Sequence, residues 1–163
     1  MLTNIISHIY FTHVKNNETI KHLNNKNSDE FIVPLEHGYY MCIMSFLSLL
    51  SGIYAVKKKL YDLAMVPIGV WLTSINYWHF PIYSWRRNLD ITYVTLALTY
   101  QVCKSYSSKN IKQYCLITGL GISFYPLSWY LYKKKYFWSS TISHSMIHLF
   151  GSLANVILYA DFN

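Results

Sequence analysis

Charge is what this sequence has least of. Only 13% of its 163 residues are Asp, Glu, Lys or Arg, where a soluble domain carries about 25%. A chain so poor in charge cannot cover a water-facing surface in the usual way. Cysteine is scarce too. Cys42, Cys103 and Cys115 are the three present, all in or beside apolar runs and without paired spacing. That excludes a disulfide framework or a zinc knuckle and leaves them as small apolar residues. The N-terminal apolar stretch has no positive residue before it and no small-residue cleavage site after it, so a secretory signal is not expected.

What the sequence has instead is apolar and aromatic residues, 53% and 18% of the chain, and the apolar ones come in long runs. Gly38 to Val56 is free of charge and stops at Lys57-Lys58-Lys59. Leu60 to Phe80 follows, with Asp62 near its start, Pro67 inside and Pro81 after it. The third run, Ile91 to Cys103, reaches full length only by admitting Asp90 and Lys104. Gln113 to Tyr132 and Trp138 to Ala160 complete the set. Each approaches the ~20 residues that cross ~30 Å of hydrocarbon, where only a helix satisfies its own backbone. The expected fold is therefore all-α: an integral membrane bundle of about five transmembrane helices, with spans near 38–56, 60–80, 89–106, 113–132 and 138–160. Tyr39, Tyr40, Tyr77, Trp78, Trp85, Tyr132, Tyr136 and Trp138 fall at the expected borders, as interfacial aromatics do.

Residues 1–37 form a polar N-terminal segment rich in Asn, Lys and His. Leu2, Ile5, Ile6 and Ile9 fall at helical spacing, which suggests an interfacial helix over 2–14. The net charge of +7 does not point to nucleic acid, because the cations cluster between apolar runs and there meet lipid headgroups. Five spans put eight cations on the N-terminal side (Lys15, Lys21, Lys26, Arg86, Arg87 and Lys133 to Lys135) and six opposite. That difference is too small to set orientation.

Ionisable residues inside spans are costly, and each is a candidate for function. His79 closes the second run, Asp90 opens the third, and His144 and His148 lie early in the fifth. In a five-span topology all four fall in one leaflet. His144 and His148, four apart, project from one helix face and suit two ligands of one metal ion. Alone, each also has a plainer reading: interfacial histidines, and an aspartate favoured by the helix dipole. Thr73, Ser74, Asn76, Ser152 and Asn155 read as polar groups that tie helices together.

The ordered set Ser74, His79, Asp90 and His144-Ser145-Met146-Ile147-His148 resembles the CREST superfamily of membrane hydrolases and receptors, which includes alkaline ceramidases and progestin/adipoQ receptors. The resemblance implies zinc held by His79, His144 and His148, with Asp90 and Ser74 as the catalytic residues beside the bound water. The family spacing is S-x-x-x-H over seven spans. Here Ser74 and His79 are five apart: aligning the serine puts Trp78 at the ligand position, and aligning the histidine puts Ile75 at the serine position. Two functions follow. One is a non-catalytic multi-pass protein acting in membrane assembly or interaction, with lipids, other membrane proteins or its own copies as partners. The other is a zinc-dependent hydrolase of a lipid amide or ester. Haem ligation by His79 opposite His144 or His148 is a third, weaker reading.

Overall fold

The computed structural model describes residues 31–162, and the expected interfacial helix over 2–14 lies outside them. Five helices follow one another: α1 (Leu35–Lys57), α2 (Tyr61–Trp78), α3 (Trp85–Ser105), α4 (Ile111–Lys133) and α5 (Phe137–Asp161). Each covers one expected run. The helix α1 opens three residues before Gly38, after Pro34 and with Glu36 in its first turn. Leu35 and His37, expected in the polar segment, are buried. Among the described residues no strand forms, only an isolated antiparallel bridge between Phe31 and Ile82.

The two lysine triplets build the same turn. Lys59 and Lys135, each third in its triplet, adopt positive φ (60° and 62°). Lys59 N–H donates to the Val56 carbonyl and Leu60 N–H to that of Ala55; Lys135 to Tyr132 and Tyr136 to Leu131 repeat the pattern. This is a Schellman closure, which satisfies the last carbonyls of a helix and reverses the chain. The lysines also place positive charge at the negative end of each helix dipole.

The helices pack in the spatial order α4, α5, α1, α2, α3. The central α1 packs on α2 and α5, α2 on α3, and α5 on α4, while α3 and α4 barely touch although only a short turn joins them. That turn is tied to the end of α5, where the Asp161 carboxylate accepts from Ser108 Oγ (2.9 Å) and Lys109 N–H (2.6 Å). Nearby, Pro67 has no N–H to offer the Leu63 carbonyl one turn earlier. Tyr159 supplies the missing donor at 3.2 Å and accepts from Gln101 Nε2 at 2.7 Å, so one phenol joins α2, α3 and α5.

Small and hydroxyl-bearing residues fill the interior. Ser45, Ser48, Ser51, Gly52 and Ala55 form the buried side of α1, whereas Ile43, Phe46, Leu50, Ile53 and Val56 point outward. The pattern recurs on α4, where Gly121 and Ser128 are buried and Leu116, Leu120, Ile122, Leu127 and Trp129 exposed. Gly121 lies against Phe150 of α5, and Ser128 and Ser140 each donate to the other's carbonyl, at 3.0 and 2.8 Å. In a double-mutant cycle, Ser128→Ala and Ser140→Ala should show a coupling of about 0.6–1.7 kcal/mol in thermal unfolding. Additive losses would mean that the clasp contributes nothing.

Of the five expected spans, α1 and α5 are long and apolar enough to cross a membrane by length and composition. The others fall short for identifiable reasons. The helix α2 is 18 residues long, but Asp62, Pro67, Asn76 and four aromatic residues keep it from being apolar enough. Arg86, Arg87, Asp90 and Lys104 lie within α3, and α4 is interrupted by Lys112, Gln113 and a series of tyrosines and serines.

Candidate functional site

The five residues singled out by sequence fall into two pairs and an outlier. Asp90 opens the buried face of α3 and meets α2 there. Its Oδ1 accepts from Ser74 Oγ at 3.0 Å and Thr73 Oγ1 at 2.8 Å. A carboxylate buried to 9% exposure needs such donors, and hydroxyls on successive residues of one helix supply them. Sixteen residues separate Ser74 from Asp90, so packing of α3 on α2 creates the pair.

His144 and His148 form the second pair on α5, with ring centroids 6.2 Å apart. The Trp78 indole stands edge-on to His144 at 5.2 Å, and Tyr125 of α4 approaches its ring at 6.4 Å. His148 is buried to 8% exposure. Neither imidazole makes a hydrogen bond to the described residues.

His79 is the outlier. It follows the last residue of α2, is exposed, and packs edge-on against Tyr39 at 6.1 Å. One turn after Ser74, on the same face of α2, comes Trp78. The inward position therefore belongs to tryptophan, whose indole N–H donates hydrogen bonds and offers no lone pair to a metal. Among the described residues no three His, Cys, Asp or Glu side chains are placed to share an ion. Among the described residues, His79 is not grouped with His144 and His148 as a three-histidine set. Haem ligation by His79 opposite the pair has no geometric support either.

Sequence reasoning missed His37. Its ring lies tilted against Trp138 with centroids 4.1 Å apart, and its Nδ1 is 2.9 Å from Thr141 Oγ1, so it joins α1 to α5. Its Nε2 lies 3.7 Å from the carboxylate of the exposed Glu36. A proline followed by Leu-Glu-His, with the acid in the first turn, was the available signal for a helix start that would have drawn His37 inside.

Among the described residues several buried polar atoms make no hydrogen bond: Trp78 Nε1 and Ser152 Oγ near the histidine pair, Tyr114 Oη and Thr118 Oγ1, which lie close to each other, and Trp71 Nε1 and Ser84 Oγ elsewhere. Other interior hydroxyls are satisfied: Ser45, Ser51, Ser105 and Ser145 donate to carbonyls three residues back. No protein-family model, curated protein or solved structure matches this chain.

Proposed function

We propose that this chain is a multi-pass membrane protein whose five helices all cross the bilayer, and that it acts without catalysis, through association with lipids and neighbouring proteins or copies of itself. The observation that carries this reading is the inverted polarity of the bundle. Leu50 and Leu116 are 60% and 74% exposed while Ser45 and Ser105 are fully buried. In water such a surface would be an aggregation liability. In lipid it is the expected one, since small residues let helices approach and interior hydroxyls hold them together. The short or polar α2, α3 and α4 cross in this reading because α1 covers the inner face of α2, α5 that of α4 and α2 that of α3, and their tyrosines and tryptophans sit in the headgroup region.

The zinc hydrolase of a lipid amide or ester has less support. Ser74 with Asp90, and the histidine pair, favour it; Trp78 in place of a third imidazole weighs against it. One preparation tests both readings. Protein from isolated membranes should remain in the pellet through alkaline carbonate, dissolve in detergent, and carry far less than one zinc per chain. About one zinc per chain, lost in His144→Ala or His148→Ala, would replace the non-catalytic reading with the hydrolase.

A further inference from the structure

We infer that the end of the bundle where α2 gives way to α3 binds the phosphate of an acidic phospholipid, with Arg87 as its main ligand, and that the bound headgroup clasps α3 to α4. The inference rests on the bilayer-spanning reading above and names the lipid chemistry and the site. Arg87 lies in the first turn of α3 and is partly buried. Its Cζ stands 5.4 Å from the ring centroid of Tyr83, in the preceding loop. The phenols of Tyr77 on α2, at 6% exposure, and of Tyr132 on α4 lie close enough for its charge to act on them. One guanidinium is thus surrounded by hydroxyls from two neighbouring helices and a loop. Aromatic residues crowd this end of the bundle, which is where headgroups lie.

The cluster has no acid of its own. Among the described residues no carboxylate pairs with Arg86 or Arg87. Asp90, one turn further on, has its Oδ1 bound by Thr73 and Ser74, and Glu36 faces His37. The opposite end of the bundle differs, for there Asp62 pairs with Lys104 at 2.9 Å and Asp161 accepts from Ser108 and Lys109 N–H. The lysines 133–135 close α4 on the same side as Arg87. With Glu36 as the exposed acid among the described residues at this end, the excess of positive charge favours an acidic headgroup over a zwitterionic one.

The start of α3 points to an anion independently. Acids are favoured in the first turn of a helix and cations disfavoured, yet this turn holds Arg86 and Arg87 and no acid. Ser84 has the extended backbone of an N-cap, but its buried Oγ bonds neither to the first-turn N–H groups nor to any other described residue. A phosphate beside this terminus offsets both guanidinium charges and the helix dipole together. Its paired oxygens match the fork of Arg87, and phenols donate to the oxygens that remain. Because α3 and α4 barely touch, a headgroup held by Arg87 on one and Tyr132 on the other adds a link that the two helices do not make themselves.

The test is thermal unfolding of the full chain in neutral detergent with phosphatidylglycerol, phosphatidylcholine or sodium phosphate added. Phosphatidylglycerol should raise the wild-type midpoint by about 5 °C near saturation, and the other two by much less. Arg87→Gln should lose that shift, whereas Lys112→Gln, an equal loss of charge at the opposite end, should keep it. Without lipid, Arg87→Gln should unfold no lower than wild type, because a cation leaves the positive end of a helix. An equal shift with phosphatidylcholine, or an Arg87→Gln shift as large as that of wild type, would overturn the site. An equal shift with sodium phosphate would overturn the lipid as its occupant. A lower lipid-free midpoint in Arg87→Gln, matched by Asp29→Asn combined with Glu30→Gln, would overturn it in favour of an ion pair within the chain. Alkaline carbonate separates the two failures: protein kept in the membrane pellet but indifferent to phosphatidylglycerol would overturn the site alone, and stripped protein the bilayer reading as well.

Discussion

Gly38→Ala should be among the most damaging single-methyl substitutions in the bundle. A Cβ at this position would run into the backbone carbonyl of Trp78, with two ring carbons of Pro81 at 3.3 Å behind it. A backbone oxygen at the end of α2, followed by a buried proline, has nowhere to go. Overpacking usually costs about 1–3 kcal/mol, and the rigid obstacle places this substitution at the upper end. Gly69 is a useful contrast, because its added Cβ would meet the phenol tip of Tyr93. That tip can swing aside at the loss of its 2.9 Å bond to the Met65 carbonyl, worth about 0.5–1.5 kcal/mol. Gly119 has nothing within 4 Å, and alanine there should be neutral or stabilising by up to about 1 kcal/mol through helix propensity. Thermal unfolding in detergent should rank the three variants with Gly38→Ala lowest and Gly119→Ala highest. Equal midpoints for Gly38→Ala and Gly119→Ala would mean that α1 and α2 do not cross this closely.

Asp90→Ala should be the second large loss, about 2–3 kcal/mol, from removal of charge-assisted hydrogen bonds and exposure of a buried donor. Ser74 Oγ has no other acceptor, whereas Thr73 Oγ1 can turn back to the Val70 carbonyl at 3.2 Å. Ser74→Ala should therefore cost more than replacing Thr73 by Val. Asp90→Asn keeps an acceptor oxygen in place and should lose much less than Asp90→Ala. The damage should be local to α3, which packs on α2 and barely touches α4. Hydrogen exchange along 85–105 should rise in Asp90→Ala while α1 and α5 stay protected. Uniform loss of protection would contradict this.

The helices were legible in the sequence because apolar runs end at unambiguous stops: the lysine triplets, Pro81, and the serine-rich stretch after Lys104. The site was less so. Asp90 announced itself as an ionisable residue near a span, but its hydroxyl partners come from a helix packed beside it. The lone histidine was read by chemical type and not by position. His79 drew attention by chemical type, yet the inward position one turn after Ser74 belongs to Trp78, a residue that reads in sequence as a border aromatic. His37 was overlooked because a polar neighbourhood hid the start of α1. The hydroxyls of α5 were readable as a stripe facing the interior.

The most direct test of the central claim is the environment of Leu50, two turns before the end of α1 and 60% exposed. In a variant with all three cysteines replaced by serine, Leu50→Cys should resist a membrane-impermeant maleimide in intact membranes from either side and react fully once denatured in detergent. Tyr106 is equally open but lies in a turn, at 75% exposure. In the same background, Tyr106→Cys should react without denaturation when its side of the membrane is accessible. If the Leu50→Cys thiol were labelled as quickly as the Tyr106→Cys thiol in native membranes, the outward apolar surface would be facing water, and a bilayer-spanning bundle could not be sustained.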